Sequence, residues 1–124
     1  MPRIYLLISV GIIGLGILHI VSTPRLFEQL SSPAVWFASG GLTLILTGVL
    51  NLLRRTYGHL APGLRMACVS TNAAMTVFAV LAGYVGRASV VEFALVLGLI
   101  GGATIFSLLP SAQRPGTTSV GAAF

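Results

Sequence analysis

Four stretches of this chain, residues 4–24, 29–53, 66–86 and 93–113, contain no Asp, Glu, Lys or Arg, and each runs for 21 to 25 residues. A helix rises 1.5 Å per residue, so about 20 apolar residues cross a hydrocarbon layer roughly 30 Å thick. Every window is therefore long enough to span a bilayer. Pro24, Pro33, Pro62 and Pro110 stand at or near the window edges, where a proline starts or stops a helix without breaking its interior. Together these signals predict spans over about 4–21, 34–53, 65–84 and 89–109.

Strands fit poorly. A membrane barrel needs segments that alternate apolar and polar residues, and runs such as 4–8 and 93–100 do not alternate. In lipid each backbone amide must find its partner within the protein, which leaves helices as the solution for continuous apolar runs. The expected fold is all-α, an integral membrane four-helix bundle over residues 1–110, followed by a flexible tail, 111–124, rich in Ser, Thr, Gly and Ala.

Composition agrees and excludes several roles. Of the 124 residues 56% are apolar and 7% charged, against roughly 25% charged in soluble domains. All seven basic residues are arginines, scattered from Arg3 to Arg114, and the only acids are Glu28 and Glu92. Nucleic-acid binding needs a clustered basic stripe, so no nucleic-acid partner is expected. One cysteine, Cys68, makes neither an internal disulfide nor a thiolate metal site. Arg3 and the apolar run behind it resemble the start of a signal peptide, but no small-x-small cleavage pattern follows, so the first span is expected to be retained.

With four spans, the N-terminus, the middle loop and the tail share one side and carry Arg3, Arg54, Arg55, Arg65 and Arg114, while the other loops carry Arg25 and Arg87. The excess of arginine predicts that both termini are cytoplasmic. Both odd-numbered loops pair an arginine with a later glutamate, Arg25 with Glu28 and Arg87 with Glu92, an echo too slight to count as a repeat.

Lipid gives helices no hydrophobic reason to associate, so small residues and interhelical hydrogen bonds must hold the bundle. Spacing of three and four predicts inward faces at Gly11, Ile12, Leu15, Gly16 and His19 in the first helix, and at Trp36, Gly40, Thr43, Thr47 and Asn51 in the second. In the third it selects Cys68, Asn72, Thr76, Ala79 and Gly83. The fourth carries Gly98-x-x-x-Gly102 with Ala94 one turn earlier, which reads as close packing in the bundle or as a dimer face. Asn51 and Asn72 share a depth near the cytoplasmic end, and a carboxamide pair can satisfy its own donors and acceptors; a structural Asn51–Asn72 contact is expected.

A second polar group stands at the opposite end: His19, Arg25, Trp36 and Glu92. Ionisable groups near hydrocarbon tend to pair or to serve a function, and Glu92 is expected to pair with His19 or Arg25. His19 reads as a proton switch, a haem or metal ligand, or an interfacial residue. No second intramembrane histidine offers bis-imidazole ligation and no cysteine joins it, so no cofactor and no metal are expected. Trp36 and Tyr84 fit one aromatic belt, Tyr5 and Tyr57 the other. No nucleophile elbow, phosphate loop or zinc-binding His-Glu-x-x-His is present, and an enzymatic role is not expected.

The stretch His19-Ile-Val-Ser-Thr-Pro-Arg-Leu-Phe, then Ala34-Val-Trp-Phe-Ala-Ser-Gly-Gly-Leu and Gly48-Val-Leu-Asn-Leu-Leu, resembles small uncharacterised bacterial four-span proteins broadly similar to the DoxX-like group. The resemblance covers residues 18–53 and implies a membrane bundle, without a reaction. The small multidrug-resistance transporters are similar in size, but that likeness requires a glutamate in the middle of the first helix, which residues 4–18 lack. Two roles follow as expectations: an accessory or structural subunit, with lipid and a second copy or a membrane protein as partners, or a transporter or binding bundle with an external pocket at His19, Arg25, Trp36 and Glu92. Orientation is testable in a Cys68→Ser background. An impermeant maleimide added outside the cell is expected to label Arg25→Cys and to spare His59→Cys; the reverse pattern inverts the topology.

Overall fold

The computed structural model describes residues 2–86 and 89–109; Arg87, Pro110, Arg114 and the predicted tail 111–124 lie outside the described residues. Four helices account for nearly all of what is described: α1 (Pro2–Leu26), α2 (Ser32–Tyr57), α3 (Pro62–Gly86) and α4 (Val90–Leu108). All four are long and apolar enough to cross a membrane. Each helix runs antiparallel to the one before it, and α1 closes the bundle against α4 as well as α2.

The helix ends follow local chemistry. Ser31 caps α2 from extended backbone with Pro33 in the first turn, and Pro62 opens α3, where its missing N–H would be unpaired anyway. α4 begins with a capping box: Glu92 N donates to Ser89 Oγ at 3.3 Å, and the Glu92 carboxylate accepts from Ser89 N at 3.0 Å. Arg25 lies in the last turn of α1, and Arg54 and Arg55 in that of α2, where cations favour the negative end of the helix dipole. Pro24 sits inside α1 rather than ending it, and the chain remains helical through Leu26. A proline near a helix end removes one ladder bond, which a membrane helix tolerates.

α1 and α2 approach so closely that backbone meets backbone. A Cβ on Gly16 would lie 2.5 Å from Gly41 O, one on Gly41 2.7 Å from Gly16 O, and one on Gly48 2.8 Å from Ser9 O. Ser9 itself turns its hydroxyl back to Tyr5 O at 2.7 Å, which clears the approach. Gly16 with Gly41 and Ser9 with Gly48 are successive contacts, seven residues apart on each helix, so this seam is the repeat of small residues that lipid-phase packing requires. Where α3 meets α4, Gly83 plays the same part against the Phe93 ring. The apolar centre is Ile12, Leu44, Ala79, Ile100 and Ala103.

The predicted inward face of α2 is rotated. On α2 the buried residues are Ala34, Gly41, Leu44, Thr47, Gly48, Asn51, Arg54 and Arg55, whereas Trp36 and Thr43 are exposed and nothing stands within 4 Å of a Cβ on Gly40. The seam with α1 sets this: it takes the face bearing Gly41 and Gly48. On α4 the buried stripe is Ile100, Ala103 and Ser107; Ala94 and Gly98 face outward, and of the Gly-x-x-x-Gly pair only Gly102 meets a neighbour, Ile8. The predicted faces of α1 and α3 agree with burial of Ile12, Gly16, Cys68, Asn72 and Ala79.

The seam yields a paired prediction. Gly48→Leu, which drives a side chain into Ser9 and Ile13, is expected to lower stability by about 3 kcal/mol through overpacking, and Gly40→Leu to change it by less than about 0.5 kcal/mol. Unfolding of the two variants in detergent measures both; equal losses would contradict the described rotation of α2.

Candidate functional site

Buried polarity is concentrated at one end of the bundle, where the start of α1, the end of α2, the start of α3 and the end of α4 meet. Tyr5, Ser9, Asn51, Arg54, Asn72 and Ser107 are all fully buried there, with Cys68 among them. The arrangement starts from helix periodicity: Asn51 and Arg54 are three residues apart on α2, and Cys68 and Asn72 four apart on α3, so each helix presents two polar groups on its inward face.

Asn51 and Asn72 exchange hydrogen bonds. Asn51 Nδ2 donates to Asn72 Oδ1 at 2.8 Å and Asn72 Nδ2 donates to Asn51 Oδ1 at 2.8 Å. The remaining capacity is also used: Asn51 Nδ2 donates to Thr47 O at 2.8 Å, Asn72 Nδ2 to Ala103 O at 3.4 Å, and Asn51 Oδ1 accepts from Tyr5 OH at 2.5 Å and Cys68 Sγ at 3.3 Å. The pair thereby reaches all four helices. One turn closer to the middle, the Thr76 and Thr104 hydroxyls meet at 2.9 Å, which ties α3 to α4 again.

Arg54 differs from its neutral neighbours. Its relative exposure is 0%, and Nη1 alone has partners, donating to Tyr5 OH and to Phe106 O, both at 3.4 Å. The guanidinium carbon lies 5.8 Å from the centre of the Tyr5 ring, within reach of a cation–π attraction. Nε and Nη2 are buried and find no acceptor among the described residues. The chain cannot supply a side-chain carboxylate either: Glu28 and Glu92 are its only acids, Glu28 lies between α1 and α2 at the opposite end, and Glu92 caps α4 at that same opposite end. A guanidinium stays charged in proteins, and an unpaired buried ion costs several kcal/mol.

Of the residues singled out by sequence, the structure brings Asn51 and Asn72 into contact, and in the other group it leaves His19 and Glu92 within electrostatic reach of each other without a direct contact. Glu92 is exposed and both bonds of its carboxylate go to Ser89, at 3.0 and 2.9 Å; among the described residues it forms no ion pair with His19 or Arg25. The capping requirement of α4 took the carboxylate, and Ser89-x-x-Glu92 is its sequence sign. His19 is half-buried, with Nδ1 at 3.1 Å from Leu15 O and its ring stacked on Phe37 at 4.6 Å. Arg25 is exposed, and Trp36 is 73% exposed. Trp36 lines an apolar groove of about 350 Å³ between α2 and α3, with Gly40, Thr43, Met75 and Phe78, and none of the other three residues borders it. Among the described residues no cluster of three His, Cys, Asp or Glu side chains is placed to hold a metal.

Tyr5 is another correction: it is fully buried against Asn51 and Arg54 rather than standing in an aromatic belt, because its hydroxyl has a partner inside the bundle. Tyr57 and Tyr84 are exposed, as belt residues would be.

No family model, curated protein or solved structure matches this chain.

The reciprocal amide pair makes a measurable prediction. Asn51→Leu and Asn72→Leu are each expected to destabilise the bundle by about 1–2 kcal/mol, since each strands a partner. The double variant should lose less than the sum, by a coupling of about 0.6–1.7 kcal/mol. Additive losses in a double-mutant unfolding cycle would mean that the two amides do not support each other.

Proposed function

We propose that this chain is a small multi-pass protein of a bacterial inner membrane, with both termini cytoplasmic, that acts by binding an anionic molecule at Arg54 rather than by catalysis. One observation carries the reading: a fully buried guanidinium with two unpartnered nitrogens in a chain whose only two acids stand at the other end. Ionisable groups at membrane depth are retained for function or pairing, and internal pairing with a side-chain carboxylate is closed to Arg54. An incoming anion supplies the missing charge and the missing acceptors together.

The surrounding neutral groups suit binding better than reaction. Tyr5, Asn51, Asn72 and Cys68 bond to one another, which fixes the floor of the site and leaves no general base beside a nucleophile. The four arginines placed by the described helices at this end or beside it, Arg3, Arg54, Arg55 and Arg65, against Arg25 at the other, support a cytoplasmic assignment of the site.

A second reading, a structural or accessory subunit, draws on the saturated Asn51–Asn72 pair, which holds four helices with no ligand. Native mass spectrometry of the full chain released from mild detergent separates the two. The binding reading expects a bound anionic molecule on the wild type that is lost or at least tenfold depleted in Arg54→Gln, a loss of about 1.4 kcal/mol or more. A ligand-free wild type that copurifies with a partner protein would favour the accessory role.

A further inference from the structure

The two unpartnered nitrogens of Arg54 are not an arbitrary pair. In a guanidinium, Nε–H and the Nη2–H beside it point the same way along one edge, the side-on fork that matches two oxygens of a phosphate or carboxylate. Arg54 uses Nη1 for Tyr5 OH and Phe106 O and leaves Nε and Nη2 open. The bundle thus anchors the far corner of the guanidinium and reserves the bidentate edge.

The depth of that edge identifies the kind of molecule. α2 has 26 residues, about 39 Å at 1.5 Å per residue, so centred on a hydrocarbon layer of roughly 30 Å it overhangs by about 4.5 Å at each end. Arg54 stands three residues before the last residue of α2, Tyr57, and so lies at the boundary between hydrocarbon and headgroups. Tyr57 and the exposed Leu53 and Leu60 border this level with apolar surface, while Arg3 and Arg65 add positive charge at the same end, Arg65 with Nη2 at 3.4 Å from Leu108 O. Positive charge at a membrane surface attracts anionic lipid.

Resting on the reading of Arg54 as an anion site, we propose that its Nε/Nη2 edge grips two oxygens of an anionic lipid's phosphate from the arginine-rich side of the membrane. A soluble phosphate shares this chemistry but is not held at the headgroup boundary as a lipid phosphate is. Both nitrogens lie beneath the surface of the bundle, so the proposal requires this end of the bundle to part as the headgroup enters.

The test titrates delipidated full-length protein with phosphatidylglycerol, with phosphatidylcholine and with inorganic phosphate, reading lipid adducts by native mass spectrometry and thermal stability in parallel. Phosphatidylglycerol is expected to bind saturably, at least tenfold tighter than phosphatidylcholine, and to raise the melting temperature. Arg54→Lys, which keeps the charge and loses the side-on fork, is expected to weaken phosphatidylglycerol about tenfold. Equal affinity for the two lipids, or an Arg54→Lys variant that binds as the wild type does, overturns the proposal. Saturable binding of inorganic phosphate without lipid binding also overturns it, yet leaves the anion site standing; no binding of any of the three removes both. Should the Arg54 variant fail to fold, the wild-type comparison of the three probes still decides.

Discussion

The buried polar network that joins the four helices converges on the Asn51–Asn72 amide pair. Helices in lipid have no solvent-driven reason to meet, so a fully used carboxamide pair acts as a register pin: it is satisfied only when α2 and α3 stand at one depth and one rotation. Through Tyr5 and Ala103 O the same pair sets α1 and α4. A sliding of any helix by one turn would strand several buried donors at once, which is costly where no water can replace the lost partner.

The second constraint is steric and works on the other axis. The Gly16–Gly41 and Ser9–Gly48 approaches bring α1 and α2 to backbone contact, and that closeness decides which side of α2 is inside. Once α2 is rotated to place Gly41 and Gly48 against α1, Asn51, three residues beyond Gly48, turns into the bundle, and Arg54, three residues further on, follows it toward α4. Glycine packing and polar registration therefore reinforce each other: the seam that needs no side chain delivers the side chains that need partners. Among the described residues the opposite end lacks such a network. Arg25, Trp36, Tyr84 and Glu92 are exposed there, and the groove beside Trp36 lies between α2 and α3, where the packing is looser than between α1 and α2.

How much of this was legible in the sequence depends on which physical rule was asked. The helices are readable because charge is expelled from lipid, so the uncharged windows mark them. Asn51 and Asn72 are readable as neighbours because equal depth and matching capacity suffice. The inward face of α2 is not: Gly40 and Gly41 are adjacent, and composition cannot say which of them meets α1. Depth alone places Glu92 near His19, within whose electrostatic reach it stands, but it does not reveal the local capping box of α4 that takes the hydrogen bonds of its carboxylate. Arg54 was hidden by the very rule that found the helices. Treating every arginine as a boundary placed it in a loop, although its spacing of three from Asn51 puts it on the buried side of the same helix.

The placement of Arg54 also bears on why its charge is tolerated. A buried cation without a counter-ion opposes folding, and here the opposition is carried by the glycine seam, by the amide pair and by the partial shelter of Tyr5 and Phe106 O. On the proposed reading the empty bundle is then the less stable state, and any anion that fills the open edge stabilises the folded chain through its binding free energy. Replacing Arg54 by an apolar residue of similar volume would relieve the desolvation cost and can strengthen the empty fold. A residue kept for stability would not have that property; one kept for what it binds would.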